Sequence, residues 1–396
     1  MFMNAEVHIG NKEMPETGSA PLSCTEISGE IFFRIADADA MRPFFMSIVS
    51  DSDHWMFISS NGGISAGRKD ADHALFPYYT DDKITDSAEF TGSKTIFLIT
   101  ANEQMVLWEP FSSRSKGWFS ISRNLYKSRF NNKIIFEEVN HTLQLVYQYE
   151  WNTSDQFGFI KRSRLLNHSQ AVCRVRLLDG LQNIMPCGVG SDLQNRVSNL
   201  VDAYKRTEHI TDSSLALFSL SAIIVDKAEP SEALKTNTAW SVGLDKPLYL
   251  LSNQQLQHFR TGKAIVPEKE IRGERSCYYV VSEITVQRQE QKEWMIIADV
   301  NKSHSAVIEL LDKIKHDQEL IKELQNDVKL GTERLQQLVA AADGIQYSSD
   351  ILKDSRHYSN VLFNIMRGGI FDANYTIEKN DLEKYLQKTN RLVFEN

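Results

Sequence analysis

The spacing of apolar residues changes once along this chain, near Val300, and that change fixes the kinds of fold open to it. Up to that point short apolar runs alternate with turn residues, as in an all-β domain. Beyond it Val307, Leu310, Ile314, Ile321, Leu324, Val328, Leu335 and Leu338 fall on heptad a and d positions, a helical pattern. The clearest strand runs from Thr142 to Glu150, where Leu143, Leu145, Tyr147 and Tyr149 alternate with Gln144, Val146, Gln148 and Glu150. A period of two puts these sets on opposite faces of a sheet. Lys133–Val139 pairs with it through a turn at Asn140-His141, since Asn tolerates positive φ. Ala171–Leu178 places Cys173, Val175 and Leu177 on one face and Arg174 and Arg176 on the other.

Further strands are expected at 31–35, 54–59, 95–100, 105–109, 118–123, 157–166, 215–225, 277–285 and 293–300. So many strands are too many for a small barrel, and the fold class is therefore mainly β: a large antiparallel β-sandwich followed by a C-terminal α-helical linker. Two helical excursions are expected, one capped by Ser191 and one from Ser252 or Asn253 through Phe259. Residues 1–28, polar and broken by Pro15, Gly18 and Pro21, read as a flexible N-terminal arm, with order starting near Glu30. The domains are then an arm at 1–28, a sandwich at 29–300 and a helical linker at 301–396. Asp317 and Gly331 occupy d positions, which favours a helix broken near Gly331 and packed on its own protein over a dimeric coiled coil. Further helix is expected at 360–367 and from Asn380 to Thr389.

Composition narrows the function classes. With 42% hydrophobic and 24% charged residues the chain matches an ordinary soluble domain. A net charge of −8, from 52 acidic and 44 basic residues, disfavours a nucleic-acid partner. Four scattered cysteines without a CxxC are expected to be free thiols. The N-terminus shows no secretory pattern, and no apolar run reaches the roughly 20 residues of a membrane span, so a cytoplasmic protein without membrane contact is expected.

Few motifs carry chemistry. Gly63-Ile64-Ser65-Ala66-Gly67 spells a nucleophile elbow, but the preceding strand enters a hairpin signature, Asn61-Gly62-Gly63, and no amphipathic helix follows. A turn and return strand is the expected structure. Gly188-Val189-Gly190 lacks the third glycine of a dinucleotide fingerprint, there is no P-loop lysine, and histidines never pair at i, i+4, so neither cofactor nor metal is expected. Glu137-Glu138 and Asp81-Asp82 are adjacent pairs, expected to be solvated, and Asp179 and Glu229 lie at strand ends as open candidates. The sugar-binding candidates are Trp108 and Trp118, whose indole faces can stack on a pyranose, with Arg114 in the polar loop between them and Asp81 and Asp82 as further hydrogen-bonding groups.

Several stretches, in order, resemble the N-terminal region of the cellobiose phosphorylase group of carbohydrate-active enzymes. They are Met56 through Gly67, Leu75-Phe76-Pro77-Tyr78-Tyr79-Thr80-Asp81-Asp82, Trp108-Glu109-Pro110-Phe111, and Phe159 through Ser169. The match spans roughly residues 50–300, with Asp192–Ile210 as a departure. The resemblance implies a β-sandwich, a helical linker and then an (α/α)₆ barrel holding the catalytic acid and phosphate site. No barrel follows Asn396, so those residues have no counterparts here. The implied function is the non-catalytic N-terminal portion of a glycoside phosphorylase or hydrolase, with carbohydrate and a helical-barrel catalytic domain as partners and a homo-oligomer as a further expectation. The alternative is a stand-alone carbohydrate-binding or assembly module.

Overall fold

The computed structural model describes residues 8–9, 12–13, 20–101, 104–114, 117–222, 224, 234–367 and 377–395. The chain is mainly β, with large antiparallel sheets and a helical C-terminal region. One sheet has eleven strands in the spatial order Glu270–Arg272, Lys205–His209, Ala216–Leu220, Lys235–Val242, Gln291–Ser303, Gly158–Asn167, Leu145–Ser154, Ile134–Asn140, Ile121–Ser128, Glu30–Ile35 and Leu22–Ile27. Two smaller sheets face it. One has five strands in the order Gln104–Trp108, Gly92–Ala101, Cys173–Ile184, Ser276–Val286 and Leu248–Leu250. The other runs Phe45–Ile48, His54–Ser59, Ile64–Arg68 and Ala74–Phe76.

Alternation along the strands explains the layers. Tyr147, Tyr149 and Trp151 of the large sheet meet Phe97, Val175 and Leu177 of the five-stranded sheet and Met56, Ile58 and Phe76 of the four-stranded one in a single core. The register sets Phe136 opposite Tyr149, and the two rings stack at 4.8 Å. The outer face of the five-stranded sheet, including Ile96, Leu98 and Tyr279, is covered by Leu256 and Phe259 of the short helix Leu256–Arg260. The outer face of the large sheet, at Ile160, Trp240 and Ile297, is covered by Val307, Leu320 and Leu324.

The structure corrects several expectations. The arm 1–28 does not stay irregular to its end: Leu22–Ile27 is an edge strand paired with Glu30–Ile35. Ser28 and Gly29, both at positive φ, make the two-residue turn that joins them. Because this strand has no buried face, it lacks the apolar alternation that marks the others. The strand expected at 118–123 starts at Ile121 instead, after a turn. The 215–225 strand is Ala216–Leu220, and Val225 lies outside the described residues. Helix Ser191–Tyr204 is kinked at Val197, and Ser191 is its first residue rather than its cap.

The long helix breaks at Asp317, not near Gly331. His304–His316 ends where Asp317 turns extended, and the Asp317 carboxylate then accepts the Glu319 N–H at 2.8 Å ahead of helix Leu320–Ala341. That helix runs unbroken through Gly331 and lies against the sandwich, with no free coiled-coil seam. Buried Asp327 accepts from Ser154 Oγ at 2.5 Å and from the Gln156 N–H at 3.1 Å, and Asn132 donates to Thr332 Oγ1 at 2.8 Å. Helix Ile351–Met366 packs through Tyr358, Val361 and Leu362 onto Val49, Leu335 and Val339. No helix among the described residues is long and apolar enough to cross a membrane.

Candidate functional site

The Gly63–Gly67 pattern is a strand, not an elbow. Ser65 lies inside Ile64–Arg68, fully buried, and its hydroxyl donates to the Pro77 carbonyl at 2.7 Å. Its two glycines serve close approach: a Cβ at Gly63 would sit 1.9 Å from the Ile84 carbonyl oxygen, and one at Gly67 would sit 2.4 Å from the Trp55 ring. The first contact seats helix Asp81–Asp86 on the turn at Asn61, whose side-chain amide donates to the Thr85 carbonyl at 2.8 Å.

That turn borders two small adjoining hollows, which share Asn61 and Phe111. The smaller is walled by the segment after the helix, where Glu89 and Lys94 meet, by loop residues Pro110–Ser112 and by Tyr149. Lys94 lies 2.7 Å from Glu89 and 2.7 Å from Glu109, and Arg260 grips Glu109 through two nitrogens at 2.8 and 2.9 Å. Glu89 also accepts the Ser113 N–H at 2.7 Å. Burial alone would raise the Glu89 carboxyl, but Lys94 and the Ser113 donors outweigh it and hold the group at about 2. Glu109 is likewise buried yet held below the usual carboxylate range by Arg260 and Lys94. The larger hollow is lined by Asp39, Arg123, Asn124 and Phe136. Phe111, between the two, has φ of 62°, a conformation rarely accepted by a bulky residue and found where surrounding contacts impose it. Here Glu138 holds the Phe111 N–H at 2.7 Å and Arg123 Nε at 2.8 Å.

The sequence candidates divide. Trp108 is fully buried, its indole N–H bonded to Glu138 at 2.7 Å and its ring against Phe97, so it offers no face to a sugar. Trp118 is 60% exposed, and Arg114 is exposed on the same loop, just past the Ser112 and Ser113 that Glu89 binds. Asp81 and Asp82 are exposed in the first turn of helix Asp81–Asp86, none of whose residues lines either hollow, and the Thr80 hydroxyl holds the Asp82 carboxyl below its usual range. Glu89, Lys94 and Tyr149 were not singled out by the sequence, because they converge from three separate strands or loops with no fixed spacing.

Two further expectations change. Glu137 and Glu138 do point to opposite faces, but both are buried: Glu137 accepts from Asn124 at 2.6 Å and from the Tyr126 hydroxyl at 2.8 Å. Asp179 is not at a strand end. It sits within Cys173–Ile184 at the middle of the sandwich, fully buried, 2.5 Å from Lys161. Its carboxylate also accepts from Thr95 at 2.6 Å, Ser163 at 3.0 Å and Trp294 Nε1 at 2.7 Å, which leaves it no room to meet substrate. Glu229 lies outside the described residues. All four cysteines are free, and no cluster among the described residues has the make-up of a metal site.

Residues 371–396 match the family model described as glycoside hydrolase family 149 insertion domain 1. The described part of that stretch holds helices Lys379–Thr389 and Arg391–Glu395, neither with a buried residue. No curated protein matches the sequence. Among solved structures, a bacterial glucoamylase complexed with acarbose aligns at 8% identity and a TM-score of 0.44, covering 78% of this chain and 39% of its own. A protein assigned as a kojibiose phosphorylase, from the human microbiome, aligns at 10% identity and 0.41, covering 80% and 38%. The chain thus spans about two fifths of the length of these neighbours. The family match makes the terminal stretch similar to part of a carbohydrate-active enzyme, the class to which the sequence resemblance also points.

Proposed function

We propose that the chain is the non-catalytic portion of a glycoside phosphorylase or hydrolase: a sandwich at 29–300, preceded by an arm and followed by a helical linker at 301–396, that supports a helical-barrel catalytic domain. The observation that carries the non-catalytic part is the state of the carboxylates at the hollow. Cleaving a glycosidic bond needs a carboxyl that keeps its proton near neutral pH, usually raised by burial or by a like charge. Glu89 and Glu109 are instead fixed as anions by Lys94 and Arg260. The family match at 371–396 supports the enzyme class.

The test is to assay the purified chain for hydrolysis and phosphorolysis of a disaccharide panel, and to read the coding sequence beyond codon 396. We expect no turnover from the chain alone and a helical barrel encoded in the same or the neighbouring reading frame. Turnover by the isolated chain would overturn the reading. The second reading, a stand-alone carbohydrate-binding module, is favoured by the exposed indole of Trp118. Glycan binding lost in Trp118→Ala, with no barrel encoded nearby, would establish it.

A further inference from the structure

The eleven-stranded sheet ends on one side in a strand with a free backbone edge. Leu22–Ile27 pairs only with Glu30–Ile35, and the two short strands before it, His8–Ile9 and Lys12–Glu13, pair with each other instead. The two-residue turn at Ser28-Gly29 makes Ile27 and Glu30 a hydrogen-bonded pair. At the far end the Ala36 N–H meets the Pro21 carbonyl at 3.0 Å, which fixes the same alternation. Residues 21, 23, 25 and 27 therefore turn their backbone groups toward the neighbouring strand. Leu22, Cys24 and Glu26 turn theirs outward, and no strand among the described residues receives them.

The opposite edge of the same sheet is blunted. Glu270–Arg272 is only three residues long, and Glu270 is paired with Arg206 at 3.0 Å and with Arg272 at 2.6 Å, a charged border of the kind that turns other strands away. Leu22–Ile27 has none of these devices. It is six residues long, its register runs without a bulge, and Glu26 is its one charge. Leu22 is 54% exposed and Cys24 is exposed. Pro21 does not interrupt the outer ladder, because the N–H it lacks would have pointed inward. A second copy of the same strand fits this edge. Run antiparallel with a two-fold axis at Cys24, the two strands set Cys24 opposite Cys24, Leu22 opposite Glu26 and Ser23 opposite Thr25, so every outward N–H finds a carbonyl and no charge faces its like.

We propose that two copies of this chain join edge to edge through Leu22–Ile27, antiparallel, with Cys24 at the two-fold axis and Leu22 of each copy opposite Glu26 of the other. The large sheet of each copy offers one such edge and one blunted one, so the pairing closes at two.

The test is sedimentation velocity of the full chain from about 1 to about 200 μM, since one strand pair is small for an interface and gives a weak, concentration-dependent dimer. A species of twice the 45.3 kDa of one chain is expected to grow in over this range. Leu22→Glu sets a carboxylate opposite Glu26 at both ends of the pair and should weaken the dimer about tenfold. Leu22→Glu combined with Glu26→Lys makes opposite charges face each other and should restore it. Both positions are exposed, and an unchanged urea midpoint at the lowest concentration verifies each fold. A short bismaleimide should link two chains through Cys24, and Cys24→Ser should abolish the link. A chain that stays monomeric throughout would overturn the proposal, as it would if its own residues 1–19 covered the edge. A dimer that Leu22→Glu leaves intact would place the contact elsewhere, and assemblies larger than two would overturn the closed pairing. None of these failures touches the supporting role proposed above, which stands or falls on turnover and on the encoded barrel.

Discussion

Replacing Lys161 and Asp179 singly and together tests what holds the centre of the sandwich. The pair is fully buried at 2.5 Å, where burial pushes the Lys161 ammonium below its usual range and Asp179 pulls it back. Lys161→Met leaves the carboxylate with only its neutral donors, and Asp179→Asn leaves the ammonium with no counter-charge. Each single change should cost about 3–5 kcal/mol, the usual penalty for stranding one member of a buried pair. The double variant strands no charge. Its Asn carbonyl oxygen can still accept from Trp294, and the Thr95–Tyr147 hydrogen bond survives. It should therefore cost well under the sum of the singles, with a coupling of about 3 kcal/mol, the upper end for residues in direct contact. Urea titrations of the four proteins at pH 7, followed by fluorescence and circular dichroism, would measure this through the midpoint at constant slope. Additivity within about 0.5 kcal/mol, or single losses below about 1 kcal/mol, would refute the view that the two charges depend on each other.

Other expectations concern the edges of the core. His54 is buried, with its Nδ1 bonded to Ser52 at 2.8 Å; burial first, then Arg68, lowers its pKa from 6.5 to about 3. The unfolded chain therefore binds this proton between pH 6.5 and 3 and the folded chain does not, so stability falls as pH drops below 6.5, by about 1.4 kcal/mol per unit. Between pH 7 and pH 5 the natural protein should lose about 2 kcal/mol more than His54→Asn; parallel losses in urea titrations would show that the imidazole is not protonated on unfolding. Gly63→Ala should cost about 1–3 kcal/mol, because its methyl meets the Ile84 backbone, and a thermal midpoint equal to the parent's would contradict that contact. Ser65→Ala should cost about 1 kcal/mol from loss of its bond to Pro77, and it should leave any esterase background of the preparation unchanged.

Strands were legible in the sequence where the core imposes an apolar alternation: His54–Ser59 and Leu145–Ser154 are set by side chains that must meet the opposing sheets. Leu22–Ile27 was not legible, since an edge strand without a buried face has no reason to alternate. The buried glutamates misled for a related reason. Polarity marks Glu137 and Glu138 as surface residues until Trp108, Arg123, Asn124 and Tyr126, all from other parts of the chain, are seen to satisfy them. Trp108 shows the reverse error: its large apolar face suggested a sugar platform, yet the same area makes it valuable inside the core. The hollow itself could not be read from spacing, because Asn61, Glu89, Phe111 and Tyr149 belong to four separate segments.

The helical region is not uniform, and the difference bears on what the sandwich is for. From His304 to Met366 the helices are anchored: Val307 and Leu324 cover the large sheet, Asp327 is bonded to Ser154, and Arg334 reaches Asp51 at 2.6 Å. A linker bonded this way moves with the sandwich, because shifting it would expose apolar surface and strip partners from the buried Asp327. From Lys379 onward the pattern reverses. Leu382, Tyr385 and Leu392 are exposed, and no residue of the last two helices is buried. Apolar positions at helical spacing need a covering surface to justify the pattern. These two helices, with no buried residue among the described residues, fall in the stretch that matches the glycoside hydrolase family 149 insertion domain 1. Under the supporting role proposed above, the sandwich and its anchored helices would be the base, and the terminal helices the part that meets the catalytic domain.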